Sequence, residues 1–164
     1  MNKKEFCKSR KITISAMVMA LYVVILYLTQ SFSFGAYQIR IATSIYALSY
    51  FCPFLVLPLG IANFIANTLF GGLGILDMVG GGLVGIITSG CMVGIRKWKL
   101  PKLCIIPVII LVPGLGVALW LSYYLGISYP ALAISLCIGQ TIPAICGFAM
   151  VVALEKRFGN TYEI

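Results

Sequence analysis

Charged residues are confined to three short clusters in this chain, and the segments between the clusters are long and apolar. Fourteen of the sixteen charged side chains fall within residues 1–11, 96–102 and 155–164. The other two, Arg40 and Asp77, stand alone in apolar surroundings. Only 10% of the residues are charged, whereas an ordinary soluble domain carries about 25%. The pattern therefore predicts an all-α integral membrane protein.

The length of the chain limits how many times it can cross a membrane. Its 164 residues have room for about six spans of roughly 20 residues with short connections. We therefore expect one transmembrane domain over residues 1–164, a bundle of about six helices. The predicted spans are residues 12–34, 44–57, 59–70, 76–95, 103–123 and 130–154. The second and third are short, and one broken hairpin over the same residues is an alternative.

The basic residues predict the orientation of these spans. Five lie in the N-terminal segment 1–11, four between the fourth and fifth spans, and two near the C-terminus. With six spans all three groups fall on one side, and basic loops mark the cytoplasmic side of a membrane. Both termini are therefore expected in the cytoplasm. Nucleic-acid binding is not needed to explain the net charge of +8.

The two isolated charges are the main candidates for a functional site. A charged side chain at membrane depth costs about 2.5–3.5 kcal/mol on insertion scales. One such residue is explained as easily by a cap at the lipid–water boundary. The predicted topology, however, brings Arg40 and Asp77 to the same outer face, together with Gln38 and Asn67. Three tyrosines are expected at that face as well: Tyr123, Tyr124 and Tyr129. This convergence predicts a binding site for a small polar ligand.

The same residues argue against an enzyme. The chain contains no histidine. The other charged residue at membrane depth besides its one carboxylate is an arginine, which does not give up its proton. No G-x-x-x-x-G-K-[ST] loop for ATP is present. The six cysteines form no CxxC pair and are interpreted as small apolar residues. We expect no catalytic residue, no metal and no cofactor.

Small residues recur at four-residue spacing on two of the predicted helices. Ala16 and Ala20 are four apart on the first span, and Gly81, Gly85 and Ser89 continue this spacing on the fourth. Such spacing lets helix backbones approach closely in lipid. Packing inside the bundle is favoured for the fourth span. For the first span, a partner protein is an open alternative.

Two stretches of the chain carry distinctive motifs around the isolated charges. Residues 34–41 read Phe-Gly-Ala-Tyr-Gln-Ile-Arg-Ile, and residues 66–77 read Ala-Asn-Thr-Leu-Phe-Gly-Gly-Leu-Gly-Ile-Leu-Asp. These motifs resemble those of the QueT family of queuosine-precursor transporters. In that family, an aromatic/Gln/Arg loop follows the first helix, and an Asn-x-x-x-Gly-Gly-x-Gly-x-x-Asp stretch opens the fourth. The likeness is strong over residues 34–85 and weak after Lys102.

The resemblance implies a substrate-binding (S) subunit of an energy-coupling factor (ECF) importer in the bacterial cytoplasmic membrane. Such a subunit captures a queuosine precursor, such as a 7-deazaguanine or queuine, at the extracellular face. It works with a transmembrane coupling (T) subunit and two separate ATPase subunits. Ala16 and Ala20 match the Ala-x-x-x-Ala signature that docks on the coupling subunit. The implied ligand contacts are Gln38, Arg40, Asn67, Asp77 and Gln140.

The chain departs from the family pattern at two positions. Thr43 and Gln140 stand where glutamates are expected, so two charged acceptors for a deazaguanine are missing. Another small heterocyclic vitamin is therefore an alternative substrate. A stand-alone carrier that dimerises through the glycines of the fourth span is a second alternative, and a membrane scaffold subunit is a third.

Overall fold

The computed structural model describes residues 7–34, 38–71 and 74–158. The first six residues of the basic N-terminal segment, residues 35–37 and 72–73 of the two motifs, and residues 159–164 with Glu163 lie outside this description. Within the described ranges the chain forms helices and no strands. Seven are α-helices: α1 (Lys8–Leu28), α2 (Gln30–Ser33), α3 (Val56–Ala66), α4 (Ile75–Lys97), α5 (Ile105–Leu125), α6 (Tyr129–Gly139) and α7 (Thr141–Phe158). Between them lie the 3-10 helices Ile41–Tyr50, Pro53–Leu55 and Lys102–Cys104 and the π-helical turn Asn67–Gly71.

Five helical segments among the described residues are long and apolar enough to cross a membrane. They are Lys8–Leu28, Pro53–Gly71, Ile75–Lys97, Lys102–Leu125 and Tyr129–Arg157. The chain is thus a multi-pass membrane protein, with one such segment fewer than the six predicted spans. The missing one is the second. Pro58, expected to end that span, instead lies in the first turn of α3, where the absence of an N–H is tolerated.

The 3-10 helix Ile41–Tyr50 replaces the predicted second span. Ten residues at about 2.0 Å each make an element of roughly 20 Å, which is shorter than a transmembrane α-helix. Even so, its two ends lie beside opposite ends of α4. Arg40 donates to Asn67, whose amide bonds the Asp77 carbonyl oxygen at the start of α4, and the Tyr50 carbonyl oxygen accepts from Arg96 Nη1 (3.1 Å) near its end. The short helix therefore runs between the same two ends of the bundle as α4.

This 3-10 helix is buried in the centre of the bundle. Seven of its residues are buried: Ala42, Thr43, Ile45, Tyr46, Ala47, Ser49 and Tyr50. Tyr46 stacks on Tyr22 of α1 with 5.6 Å between ring centroids, and the two hydroxyls are 2.9 Å apart. This hydrogen bond allows two phenol groups to be buried without leaving either hydroxyl unpaired.

Gly81 and Gly85 of α4 pack inside the helix bundle, as their four-residue spacing predicted. Gly81, Gly85 and Ser89 are all buried. A Cβ on Gly85 would lie 3.1 Å from Gly60 Cα and 3.2 Å from the Tyr46 hydroxyl oxygen. Glycine at these positions therefore lets α3 and α4 cross at close range.

The last predicted span is interrupted at Gln140, between α6 and α7. The backbone hydrogen bonds continue through the break, because the Gln140 N–H donates to Leu136 O (2.9 Å) and its carbonyl accepts from Ala144 N (3.0 Å). Pro143 supplies the cause, since it cannot donate to the carbonyl four residues earlier. The result is a bend that turns the Gln140 side chain into the bundle, where it is 3% exposed.

The glycine crossing yields a first prediction. Replacing Gly85 by leucine should lower the free energy of unfolding by about 1–3 kcal/mol, the usual effect of overpacking. Gly90→Leu is the matched control, because a Cβ there meets nothing within 4 Å. Thermal unfolding of the purified proteins in detergent measures both, and equal melting temperatures would contradict the assigned packing.

Candidate functional site

A small cavity lies among the 3-10 helix Ile41–Tyr50, α3, α4, α5 and α6. It is lined by Gln38, Arg40, Thr43, Tyr46, Asn63, Val84, Pro113, Val117, Leu136 and Gln140. Six of these residues carry polar groups, and the other four, Val84, Pro113, Val117 and Leu136, present an apolar surface. The cavity is narrow, and no more than about one water molecule fits unless side chains move apart.

Arg40 is held at this cavity by two contacts. Its Nη2 donates to Asn67 Oδ1, and its guanidinium lies 5.0 Å from the centroid of the Phe34 ring. The side chain is 4% exposed, and its Nε has no hydrogen-bond partner among the described residues. A buried guanidinium with an unused N–H is a ready donor to a ligand acceptor.

Asn67 connects the two isolated charges. Its Oδ1 accepts from Arg40, and its Nδ2 donates to the backbone carbonyl oxygen of Asp77 (2.8 Å). A Cβ on Gly81 would lie 2.1 Å from this Nδ2, so only glycine leaves room for the amide. Arg40 and Asp77 thus belong to one network, although no ion pair between them is found among the described residues. Asn67 itself does not line the cavity.

Asp77 occupies the first turn of α4, where a negative charge interacts favourably with the helix dipole. Its Oδ1 accepts from Trp120 Nε1 (3.1 Å), and its Oδ2 is buried with no hydrogen-bond partner in the described part of the chain. A Cβ on Gly71 would lie 2.6 Å from Oδ2. The carboxylate therefore lies behind the cavity lining, next to Trp120 and Gly71. Its predicted direct contact with a ligand stays a prediction.

Gln140, Thr43 and Gln38 form the other polar part of the lining. Thr43 Oγ1 donates to Gln140 Oε1 (2.8 Å), and Gln140 Nε2 donates to the Gln38 carbonyl oxygen (3.1 Å). Gln38 has a positive φ of 42°, an uncommon backbone conformation outside glycine. The two positions at which the sequence departs from the family glutamates are thus in direct contact.

Sequence reasoning missed Asn63 and Tyr46. Asn63 is 2% exposed. Its Nδ2 donates to the Gly81 carbonyl oxygen (2.6 Å), and its Oδ1 has no hydrogen-bond partner within the residues that the structure describes. Asn63 is an amide within an apolar span, and it lies four residues before Asn67 and therefore on the same helix face. This spacing could have identified Asn63 as a site residue from the sequence. The three tyrosines expected at the site do not line the cavity, and Tyr123 is 82% exposed.

The predicted docking residues lie away from the cavity. Ala16 and Ala20 are on an exposed face of α1, beside Met17 and Leu21, which are also exposed. Within the described part of the chain, no helix covers this face. The small residues of α1 therefore do not serve the internal packing that buries those of α4.

The network predicts a stability cost for losing Asn67. Asn67→Leu leaves the buried Arg40 guanidinium without its acceptor, and hydrogen bonds to charged groups contribute about 1.5–3 kcal/mol. We expect a loss of that size in the free energy of unfolding, measured by thermal unfolding in detergent. Thr68→Val is the control, since Thr68 is exposed and bonds only the helix carbonyl of Phe64 (2.8 Å). Equal melting temperatures for the two variants would show that Asn67 does not hold Arg40.

The side chains at the cavity are hydrogen-bond donors and acceptors facing an apolar surface, which suits binding of a small molecule rather than bond making. Comparison with curated proteins and with solved structures gave no match. The family model for the QueT transporter matches residues 12–156, nearly the whole chain. This match confirms the resemblance found in the two motifs and indicates a role in membrane transport. The chain belongs to the QueT transporter family.

Proposed function

We propose that this chain is the substrate-capture (S) subunit of an ECF-type importer. It would bind a small nucleobase-like metabolite, a queuosine precursor such as a 7-deazaguanine or queuine, at its extracellular face. The observation that carries the proposal is the buried cavity in which Arg40, Gln38, Gln140 and Asn63 face apolar side chains. Polar groups buried in a membrane protein usually mark a substrate or ion site.

The arrangement of charges supports the extracellular placement. Arg96 and Lys97 end α4, Lys156 and Arg157 end α7, and Lys102 contacts Glu155. Basic residues at one end of the bundle indicate the cytoplasmic side. Asp77 begins α4 at the opposite end. If the 3-10 helix Ile41–Tyr50 counts as a crossing, the chain crosses six times and both termini are cytoplasmic.

The α1 face supports a partner subunit. Ala16 and Ala20 are exposed at the four-residue spacing that permits close helix contact. They would dock on the transmembrane coupling subunit, and two separate ATPase subunits would supply the energy, because the sequence has no phosphate-binding loop of its own.

The other interpretations have less support. A carrier that dimerises through the α4 glycines would need a free glycine face, but Gly81 and Gly85 are buried against α3 and Asn67. A scaffold subunit does not require a cavity lined by buried polar side chains such as Arg40 and Asn63. Another heterocyclic vitamin would use the same donors and acceptors once the lining side chains move apart, and a ligand screen decides between the two cargoes.

Ligand binding is tested first by thermal shift of the purified protein against deazaguanines, purines, pyrimidines and B-type vitamins. A ligand at 100 times its dissociation constant should add about 2.7 kcal/mol of stability. Arg40→Ala should abolish the shift because it removes the buried donor at the cavity. Arg157→Ala, at the far end of the bundle, should leave the shift unchanged. A well-folded protein with no shift for any compound would contradict the proposal.

Docking is tested separately from binding. Ala16→Leu should keep the thermal shift but abolish uptake by cells that express the coupling and ATPase subunits, since a larger side chain keeps helix backbones apart. Ala131→Leu is the control, as it enlarges an exposed alanine on α6 and should leave uptake intact. Loss of binding in Ala16→Leu would instead place that residue in the internal packing.

A further inference from the structure

We infer that the Tyr46 hydroxyl donates a hydrogen bond to the bound substrate, and that Tyr22 of α1 positions this hydroxyl. The inference rests on the proposed function, because it concerns how the same cavity holds its nucleobase-like cargo. It adds two residues that neither the isolated charges nor the two motifs pointed to. It follows from the way in which two buried phenol groups share their hydrogen bonds.

The two tyrosines form a buried pair between α1 and the 3-10 helix Ile41–Tyr50. Both are 0% exposed, their ring centroids lie 5.6 Å apart, and their hydroxyl oxygens are 2.9 Å apart. Packing alone does not require the hydroxyls, since two phenylalanines can stack at this distance without burying any polar group. The hydroxyls therefore need an explanation beyond the apolar contact of the two helices.

Of the two hydroxyls, the one on Tyr46 lies at the cavity. Tyr46 lines the cavity, whereas Tyr22 does not. A Cβ on Gly85 would lie 3.2 Å from the Tyr46 hydroxyl oxygen, and the preceding residue, Val84, belongs to the lining. The side chain of Asn63, another lining residue, also lies beside this hydroxyl. The Tyr46 hydroxyl is therefore in the cavity wall rather than behind it.

The direction of the hydrogen bond between the tyrosines follows from where their hydrogens can go. The pair has two hydroxyl hydrogens, and only one of them lies between the two oxygens. If Tyr46 donated to Tyr22, the Tyr22 hydrogen would be buried with no acceptor among the described residues, which costs stability. If Tyr22 donates to Tyr46, the remaining hydrogen is at the cavity, where water or a ligand can accept it. Tyr22 is therefore the donor.

The remaining hydrogen of Tyr46 is available to the substrate. Asn63 does not accept it, because Asn63 Oδ1 has no hydrogen-bond partner in the described ranges and its Nδ2 is a donor, bonded to the Gly81 carbonyl oxygen. A carbonyl oxygen or ring nitrogen of a nucleobase can accept it. The bond from Tyr22 restricts the Tyr46 hydroxyl and strengthens it as a donor, since hydrogen bonds in a chain polarise one another. Tyr22 thus acts on the substrate through Tyr46, as a positioning residue.

A double-mutant cycle on substrate affinity tests both roles. Calorimetric titration of the full chain in detergent with 7-deazaguanine and with queuine gives the dissociation constants. Tyr46→Phe should weaken binding about fivefold to tenfold, which is within the net contribution of one neutral hydrogen bond. Tyr22→Phe should weaken binding about threefold, because the Tyr46 donor loses its polarising partner. In the Tyr46→Phe background, Tyr22→Phe should have no further effect, because Tyr22 acts only through Tyr46.

Tyr27→Phe is the matched control for the cycle. It removes a hydroxyl from an exposed tyrosine of the same helix, α1, and keeps the aromatic ring. Its dissociation constants should equal those of the unaltered protein. A loss of affinity in Tyr27→Phe as large as in Tyr22→Phe would contradict a specific role for the buried pair.

Thermal unfolding of the ligand-free variants tests the direction of the bond. Tyr46→Phe should have the lowest melting temperature, since it leaves the Tyr22 hydroxyl buried without an acceptor. Adding Tyr22→Phe should raise the melting temperature again, because the double variant buries no unpaired hydroxyl. The double variant therefore measures the loss of the Tyr46 donor even if Tyr46→Phe alone does not fold. A melting temperature of Tyr22→Phe below that of Tyr46→Phe would overturn the assigned direction.

The outcomes separate this inference from the proposed function. An unchanged affinity in Tyr46→Phe overturns the substrate contact and leaves the substrate-capture role standing. An equal loss from Tyr22→Phe in both backgrounds overturns its positioning role. If the folded, unaltered protein binds neither compound, the cycle is run with a heterocycle that raises its melting temperature, and the same two results decide the inference. If no heterocycle binds, the proposed function and this inference fail together.

Discussion

The structure depends on the cost of burying Arg40 in a protein that lipid surrounds. A guanidinium has five N–H groups and no acceptor, and the hydrocarbon offers none. The chain supplies an acceptor from Asn67 and an aromatic face from Phe34, and Asn67 in turn donates to the backbone carbonyl oxygen of Asp77. Asn67 holds this position only because Gly81 has no side chain. One charge thus determines residues on three different helices.

Irregular backbone is concentrated around the same cavity. The 3-10 helix Ile41–Tyr50 supplies Thr43 and Tyr46, α5 contains Pro113, which lacks the N–H of a regular helix residue, and the break between α6 and α7 supplies Gln140. Non-helical backbone is tolerated at membrane depth where it is buried in protein or lines a cavity. In uninterrupted α-helices, the directions of these side chains would be set by the helical repeat alone. The interruptions turn polar groups from separate helices toward one volume.

The sequence predicted the membrane class, the family and the gathering of isolated polar residues, because each depends on composition or on short motifs. It predicted a regular second span over residues 44–57, whereas the structure has the 3-10 helices Ile41–Tyr50 and Pro53–Leu55 over most of these residues. Apolar runs report length and hydropathy, and they do not distinguish ten residues of 3-10 helix from a longer α-helix. The roles of Asn63 and Tyr46 were missed because each is a single polar residue within an apolar span, and the helix face on which each lies was not considered. The position of the Asp77 carboxylate behind the cavity lining could not be predicted, because it depends on contacts with Trp120 and Gly71 that only the folded structure shows.

The separation of Arg40 from Asp77 by one amide has a functional consequence. In direct contact, the two groups would satisfy each other, and breaking a buried pair costs about 3–5 kcal/mol, so Arg40 would be unavailable to a ligand. Instead Asn67 accepts from Arg40 and donates to the Asp77 backbone carbonyl oxygen, and among the described residues Arg40 Nε has no hydrogen-bond partner. The remaining hydrogen bonds at the cavity join neutral groups, Thr43 to Gln140 and Gln140 to Gln38, and each contributes only about 0.5–1.5 kcal/mol. A ligand can therefore replace these weak neutral bonds without disturbing the charged network that holds the bundle together.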